Sequence, residues 1–133
     1  MNEAVRRLHV PPPSIADRPR AFADVLGLAK GKHLLVPLRG HPDPDGIACA
    51  LAQAHIAHRL GVGKVTISYS HELSHRENRA LVKLLNIELT KVRNIKDLEP
   101  VDYIGLVDTH EVEPDLLGAD NVEVLTIVDH HRA

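Results

Sequence analysis

The placement of its apolar runs constrains this chain most: they are short, rich in β-branched residues, and separated by stretches with helical spacing. His33–Leu38 (HLLVPL), Lys64–Tyr69 (KVTISY), residues 87–92, Tyr103–Val107 (YIGLV) and residues 122–128 each have the length and composition of a strand. Between the first two, a helical stretch runs from Gly46 to about Leu60 and closes at Gly61. It opens on Ile47-Ala48-Cys49-Ala50-Leu51, a small apolar face suited to close packing on a sheet. Residues 76–85 read as a further helix, with Ala80, Leu81, Leu84 and Leu85 at helical spacing. Strands alternating with helices predict an α/β fold: a doubly wound, mostly parallel sheet with helices on both faces.

The flanking segments are read in the same terms. Residues 1–13 look like a flexible leader ending in Pro11-Pro12-Pro13, and residues 14–133 form one domain. Ser14 reads as a helix N-cap with Asp17 three residues on, and that helix is expected to reach Lys30, where Gly31 stops it. Residues 114–117 are expected to form a short helix. A chain of 133 residues supports one core but hardly two. Aromatic residues make up only 2%, so the core must be built from Leu, Ile, Val and Ala.

A formal charge of −2 gives no general attraction to nucleic acid or to an anionic membrane. Any phosphate-bearing ligand must therefore be held by a local site. The single cysteine, Cys49, excludes an internal disulfide and fits a reducing compartment. No run approaches the ~18 apolar residues of a membrane span, and Met1-Asn2-Glu3 does not open a signal peptide, so a cytoplasmic protein without a membrane partner is expected.

The polar residues fall where such a sheet binds ligands, at the carboxyl ends of its strands. Asp43 and Asp45 follow the first strand, Asp108 ends the fourth, and Asp129-His130-His131 ends the fifth. Asp43-Pro44-Asp45-Gly46 alone reads equally well as a turn and helix cap, and Asp108 alone as the N-cap of the next turn. Together they form a set of carboxylates and imidazoles suited to Mn²⁺ or another divalent ion that accepts mixed oxygen and nitrogen ligands. Without metal, such a cluster of anions repels itself. Of the ten histidines, His9, His33, His55, His58 and His110 read as solvated surface groups.

Three of these segments resemble a known family. Asp43-Pro44-Asp45-Gly46-Ile47-Ala48-Cys49-Ala50 is similar to the first motif of the DHH phosphoesterase superfamily, Val107-Asp108-Thr109 to the second, and Ile127-Val128-Asp129-His130-His131 to the signature that names it. Residues 70–85 (SHELSHRENRALVKLL) also resemble the segment after the second strand in many members, so the likeness covers roughly residues 33–131.

The resemblance implies two divalent ions, commonly Mn²⁺, and hydrolysis of a phosphoester or phosphodiester in a small nucleotide or short oligonucleotide. Carried over, Asp43, Asp45, Asp108 and His130 would be metal ligands, with Asp108 as the bridge and a catalytic residue. His131 would be catalytic and face the substrate phosphate, and Asp129 would orient a histidine from behind. Many members carry a histidine four residues before the first Asp, and here that position is Arg39. Arg39 is then expected to contact phosphate, with His41 as a substitute metal ligand. Aligning His41 to the usual histidine would instead require Ile47 as a ligand, which it cannot be.

The family also adds a metal-binding Asp and a carboxy-terminal substrate domain beyond the signature, so this chain is expected to be incomplete and poorly active by itself. The rival reading is a non-catalytic DHH-like nucleotide-binding or regulatory module, and assembly into a homo-oligomer is left open. His71-Glu72-Leu73-Ser74-His75 fits the zinc-protease pattern H-E-x-x-H, but it directly follows a strand, and no third ligand is obvious in the sequence. His71 and His75 are therefore expected to be non-catalytic.

Overall fold

A computed structural model describes residues 18–71, 82–83 and 88–129. Five parallel strands, β1 (His33–Leu38), β2 (Lys64–Tyr69), β3 (Thr90–Lys91), β4 (Tyr103–Val107) and β5 (Glu123–Val128), form one sheet in the order β3-β2-β1-β4-β5. The sheet is parallel throughout, and the α/β class read from the sequence holds. Helices α1 (Arg18–Leu26) and α2 (Pro44–Arg59) accompany it.

β1 is buried at every position, as a central parallel strand covered on both faces must be. Its alternate residues serve two cores. Leu34, Val36 and Leu38 pack with Leu26 of α1 and with Ile47 and Ala50 of α2. Leu35 points the other way and joins Ile104, Leu106, Leu116 and Ala119. That second face is covered, among the described residues, by short 3₁₀ turns at Ile95–Asp97 and Ala119–Asn121 rather than by an α-helix. The expected helix at residues 76–85 lies largely outside the described residues.

Several boundaries differ from the sequence reading for local reasons. α2 begins two residues early, because Asp43 caps it and Pro44 at its first position has no N–H to lose. It ends on His58 and Arg59, and Gly61 follows at φ +87, a left-handed turn that favours glycine. α1 stops at Leu26 and tightens into a 3₁₀ turn over Gly27–Ala29, which brings Leu26 and Ala29 to the same buried side. Residues 14–17 lie outside the described residues.

Residues 114–117 are a turn, not a helix, because their backbone is already engaged. The Leu117 N–H donates to Arg93 O at 2.8 Å, and Leu117 O accepts from Ile95 N at 3.0 Å. β3 pairs with β2 over two residues only, a short edge strand. His33, read as a surface group, is 6% exposed. Its Nε2 lies 2.7 Å from Thr66 Oγ1, and its Nδ1 lies 3.1 Å from Pro100 O.

This topology fixes where a site can be. The chain passes from β1 through α2 to β2, reaches β3, and then crosses back to place β4 on the other side of β1. The strand order reverses between β1 and β4, so the loops leaving their carboxyl ends diverge and open a crevice.

Candidate metal centre

The β1–α2 loop and the residue after β4 form the walls of that crevice. Asp43 is extended at φ −112, ψ 169, and its Oδ1 accepts the Gly46 N–H at 2.8 Å. The cap points the carboxylate across the α2 N-terminus and leaves Oδ2 outside that bond. Gly46 is buried, and a Cβ at that position would stand 3.4 Å from Asp43 Oδ1 and 3.7 Å from Asp108 Oδ2. The two carboxylates therefore converge on one small space beside Gly46, where an added Cβ would touch both at ordinary contact distance. Arg39, His41, Asp43, Gly46 and Asp108 line the cavity around it.

Asp108 takes φ +56, the only non-glycine positive φ among the described residues. Asp tolerates the left-handed region better than most residues, yet at a cost of roughly 1 kcal/mol. Its N–H donates to Val128 O at 2.7 Å, which ties it to the end of β5. Asp45 is exposed in the first turn of α2 and stands apart from the lining of the cavity, although its charge reaches inward. The Cys49 thiol, one turn further along α2, registers all three carboxylates: burial first, then Asp108, Asp45 and Asp43, push its pKa up. A cluster of anions that raises a neighbouring thiol in this way is electrostatically prepared for a cation.

A wider cleft of about 350 Å³ extends the crevice toward β5, lined by Arg39, Asp43, Asp108, Thr109, His110 and Asp129. Asp129, expected behind a histidine, lies 3.2 Å from Nδ1 of His110 through its Oδ2, and its side chain is 8% exposed. His110 is exposed but belongs to this cleft, which the sequence reading missed. The available signal was its place two residues after Asp108, on the same strand end. Arg39 reaches the rim and pairs with Glu111, Nη2 to Oε2 at 3.1 Å. His130 and His131 lie outside the described residues.

His41 is exposed and lines the inner cavity, with its ring centroid 5.4 Å from that of His71. His71 Nε2 lies 2.8 Å from Asp115 Oδ2 and 3.3 Å from Glu113 Oε1. Glu113 is 4% exposed, and its Oε2 accepts the Gly40 N–H at 2.6 Å. Burial alone would raise the Glu113 pKa. The N–H groups of Gly40 and Asp115, with His71, outweigh it and hold the carboxyl below the usual range. His75 and Glu72 lie outside the described residues.

No family model matches the chain, and no solved structure matches it. Among curated proteins, it is 36% identical over 99 residues to the uncharacterized protein MJ1633 of Methanocaldococcus jannaschii, covering 74% of this chain and 20% of that one. It is 32% identical over 96 residues to a probable manganese-dependent inorganic pyrophosphatase of Lactobacillus acidophilus. A probable manganese-dependent inorganic pyrophosphatase of Bacillus licheniformis is 34% identical over 95 residues. Each of these two alignments covers 70% of this chain and 30% of the relative. The chain thus spans 20% to 30% of the length of these relatives. Among the described residues, no helix is long and apolar enough to cross a membrane.

Proposed function

We propose that this chain carries the metal-binding half of a DHH-type phosphoesterase that hydrolyses a phosphoester or phosphoanhydride of a small phosphate compound. One observation carries the reading: Asp43 and Asp108, from two separate strand ends, converge over Gly46 at the point where the strand order reverses. The likeness to proteins named manganese-dependent inorganic pyrophosphatases supports the same chemistry and makes Mn²⁺ the ion to test first.

Asp43 and Asp108 would hold divalent metal, and the resemblance adds Asp45 and His130 as ligands and His131 as the residue facing phosphate. Held there, divalent ions supply neutralisation of phosphate charge and acidification of water. The chain's own residues do the rest. Arg39 on the rim attracts an anionic substrate, which competes with Glu111 for its guanidinium. Asp129 accepts from His110 Nδ1–H and so leaves Nε2 as the atom that takes or gives a proton in the cleft. Asp129 is thus a positioning residue. The net charge of −2 and the scarcity of aromatic residues favour a small nucleotide or short oligonucleotide over a long single strand.

The test is Mn²⁺-dependent phosphate release, measured with pyrophosphate and with nucleotide phosphoesters, for this chain, for a longer form of the length of the relatives, and for D108N in each. Activity in the longer form that falls at least about 100-fold in D108N is expected. Mn²⁺ binding without turnover in either form would instead establish the regulatory, non-catalytic module. Equal turnover per molecule in both forms would show that the described motifs suffice.

A further inference from the structure

A buried carboxylate requires partners, and Glu113 has them in an arrangement that points beyond an ordinary ion pair. Its orientation is fixed from inside the protein: Gly40 N–H holds Oε2, and Asp115 N–H reaches Oε1 at 3.2 Å. Oε1 is then presented to His71 Nε2, which also faces Asp115 Oδ2. The three ligand atoms, one nitrogen and two oxygens, all lie within 4.8 Å of one another. An ion with bonds of about 2.1 Å holds neighbouring donors about 3.0 to 3.4 Å apart. The separations of 2.8 and 3.3 Å around His71 Nε2 are close to that spacing. In the absence of a cation, one imidazole must serve two carboxylates with at most one proton between them.

We propose that His71, Glu113 and Asp115 form a second divalent-cation site, separate from the Asp43–Asp108 crevice and suited to Zn²⁺ or a similar first-row ion. One imidazole and two carboxylates are the donors such ions accept. Burial grades from Glu113 at the floor to Asp115, whose side chain is 64% exposed, so an ion can enter from solvent and keep water on its open side. The site joins the end of β2 to the β4–β5 loop, and Glu113 also grips Gly40 in the loop that carries Asp43. A bound ion would therefore fasten one wall of the crevice without being part of it. None of the three residues belongs to the ligand set implied by the family resemblance, and only His71 belongs to the H-E-x-x-H pattern.

The experiment is competition of the 133-residue chain with a chromophoric chelator for Zn²⁺, for the wild type and for H71A, D115N and D108N. Asp115 is exposed, so D115N is expected to fold even if H71A does not. D108N should retain one tight Zn²⁺, and the wild type should bind at least that one. H71A and D115N should bind it at least about tenfold more weakly, the loss that even outer-shell changes produce at metal sites. A Co²⁺ absorption band that is present in D108N and absent in D115N gives a second readout. Zn²⁺ affinity unchanged in both H71A and D115N, or no stoichiometric Zn²⁺ in the wild type, would overturn the proposal. Neither result bears on phosphate release, which tests the crevice separately.

Discussion

At the scale of single residues, Asp43 has two roles that mutation can separate. Its Oδ1 caps α2, and its carboxylate faces the crevice. Asp43→Ala should cost about 0.5–2 kcal/mol of stability, whereas Asp43→Asn, itself a good cap, should cost little. Both should weaken Mn²⁺ binding, and denaturant melts beside metal titrations check the split. Asp108 stores strain at φ +56, a conformation that glycine adopts freely. Asp108→Gly should therefore be about 1 kcal/mol more stable than Asp108→Ala while binding metal no better. Cys49 offers a probe. Burial and then the charges of Asp108, Asp45 and Asp43 raise its thiol pKa, so alkylation should be slow at neutral pH. Mn²⁺ in the crevice would neutralise those charges and lower the thiol pKa. Alkylation should then accelerate, and a rate insensitive to Mn²⁺ would count against a metal at these carboxylates.

At the scale of elements, β4 shows what the sequence could and could not reveal. YIGLV reads plainly as a buried strand, and so do HLLVPL and KVTISY, because apolar runs of that length have few other uses. The purpose of Gly105 was not legible. A Cβ there would collide with Gln53 Nε2, whose amide donates to Thr126 Oγ1 at 2.8 Å. The β4–β5 register shifts between Ile104 and Gly105 at the same place. Gly105→Ala should cost about 1–3 kcal/mol by forcing Gln53 away, measurable as a shift in denaturation midpoint without a change in fold. The site was legible to a similar degree. Asp43, Asp45 and Asp108 stood out because they follow strands. The Glu113–His71 contact joins residues far apart in sequence, and no local pattern announces it. The turn at residues 114–117 eluded reading for a related reason: Leu117 hydrogen-bonds to Arg93 and Ile95, which are distant in sequence.

For the whole molecule, Glu113 makes stability depend on acid. Its folded pKa lies below the unfolded value of 4.5, so its contribution is present above that pH and is lost as pH falls through the depressed folded value. Glu113→Gln should flatten this acid limb in unfolding free energies measured from about pH 3 to 7. The strand order carries another consequence, one of timing. β1, the most buried strand among the described residues, is made before both of its neighbours: β2 on one side begins at Lys64 and β4 on the other at Tyr103. At about 5–20 residues per second, an emerging β1 waits on the order of several seconds for its second neighbour. During that interval β1 can pair with β2 on one side only, and its other edge, at Leu34 and Leu35, stays open to pairing with other chains. Synthesis, more than the finished protein, is where this molecule should need a chaperone.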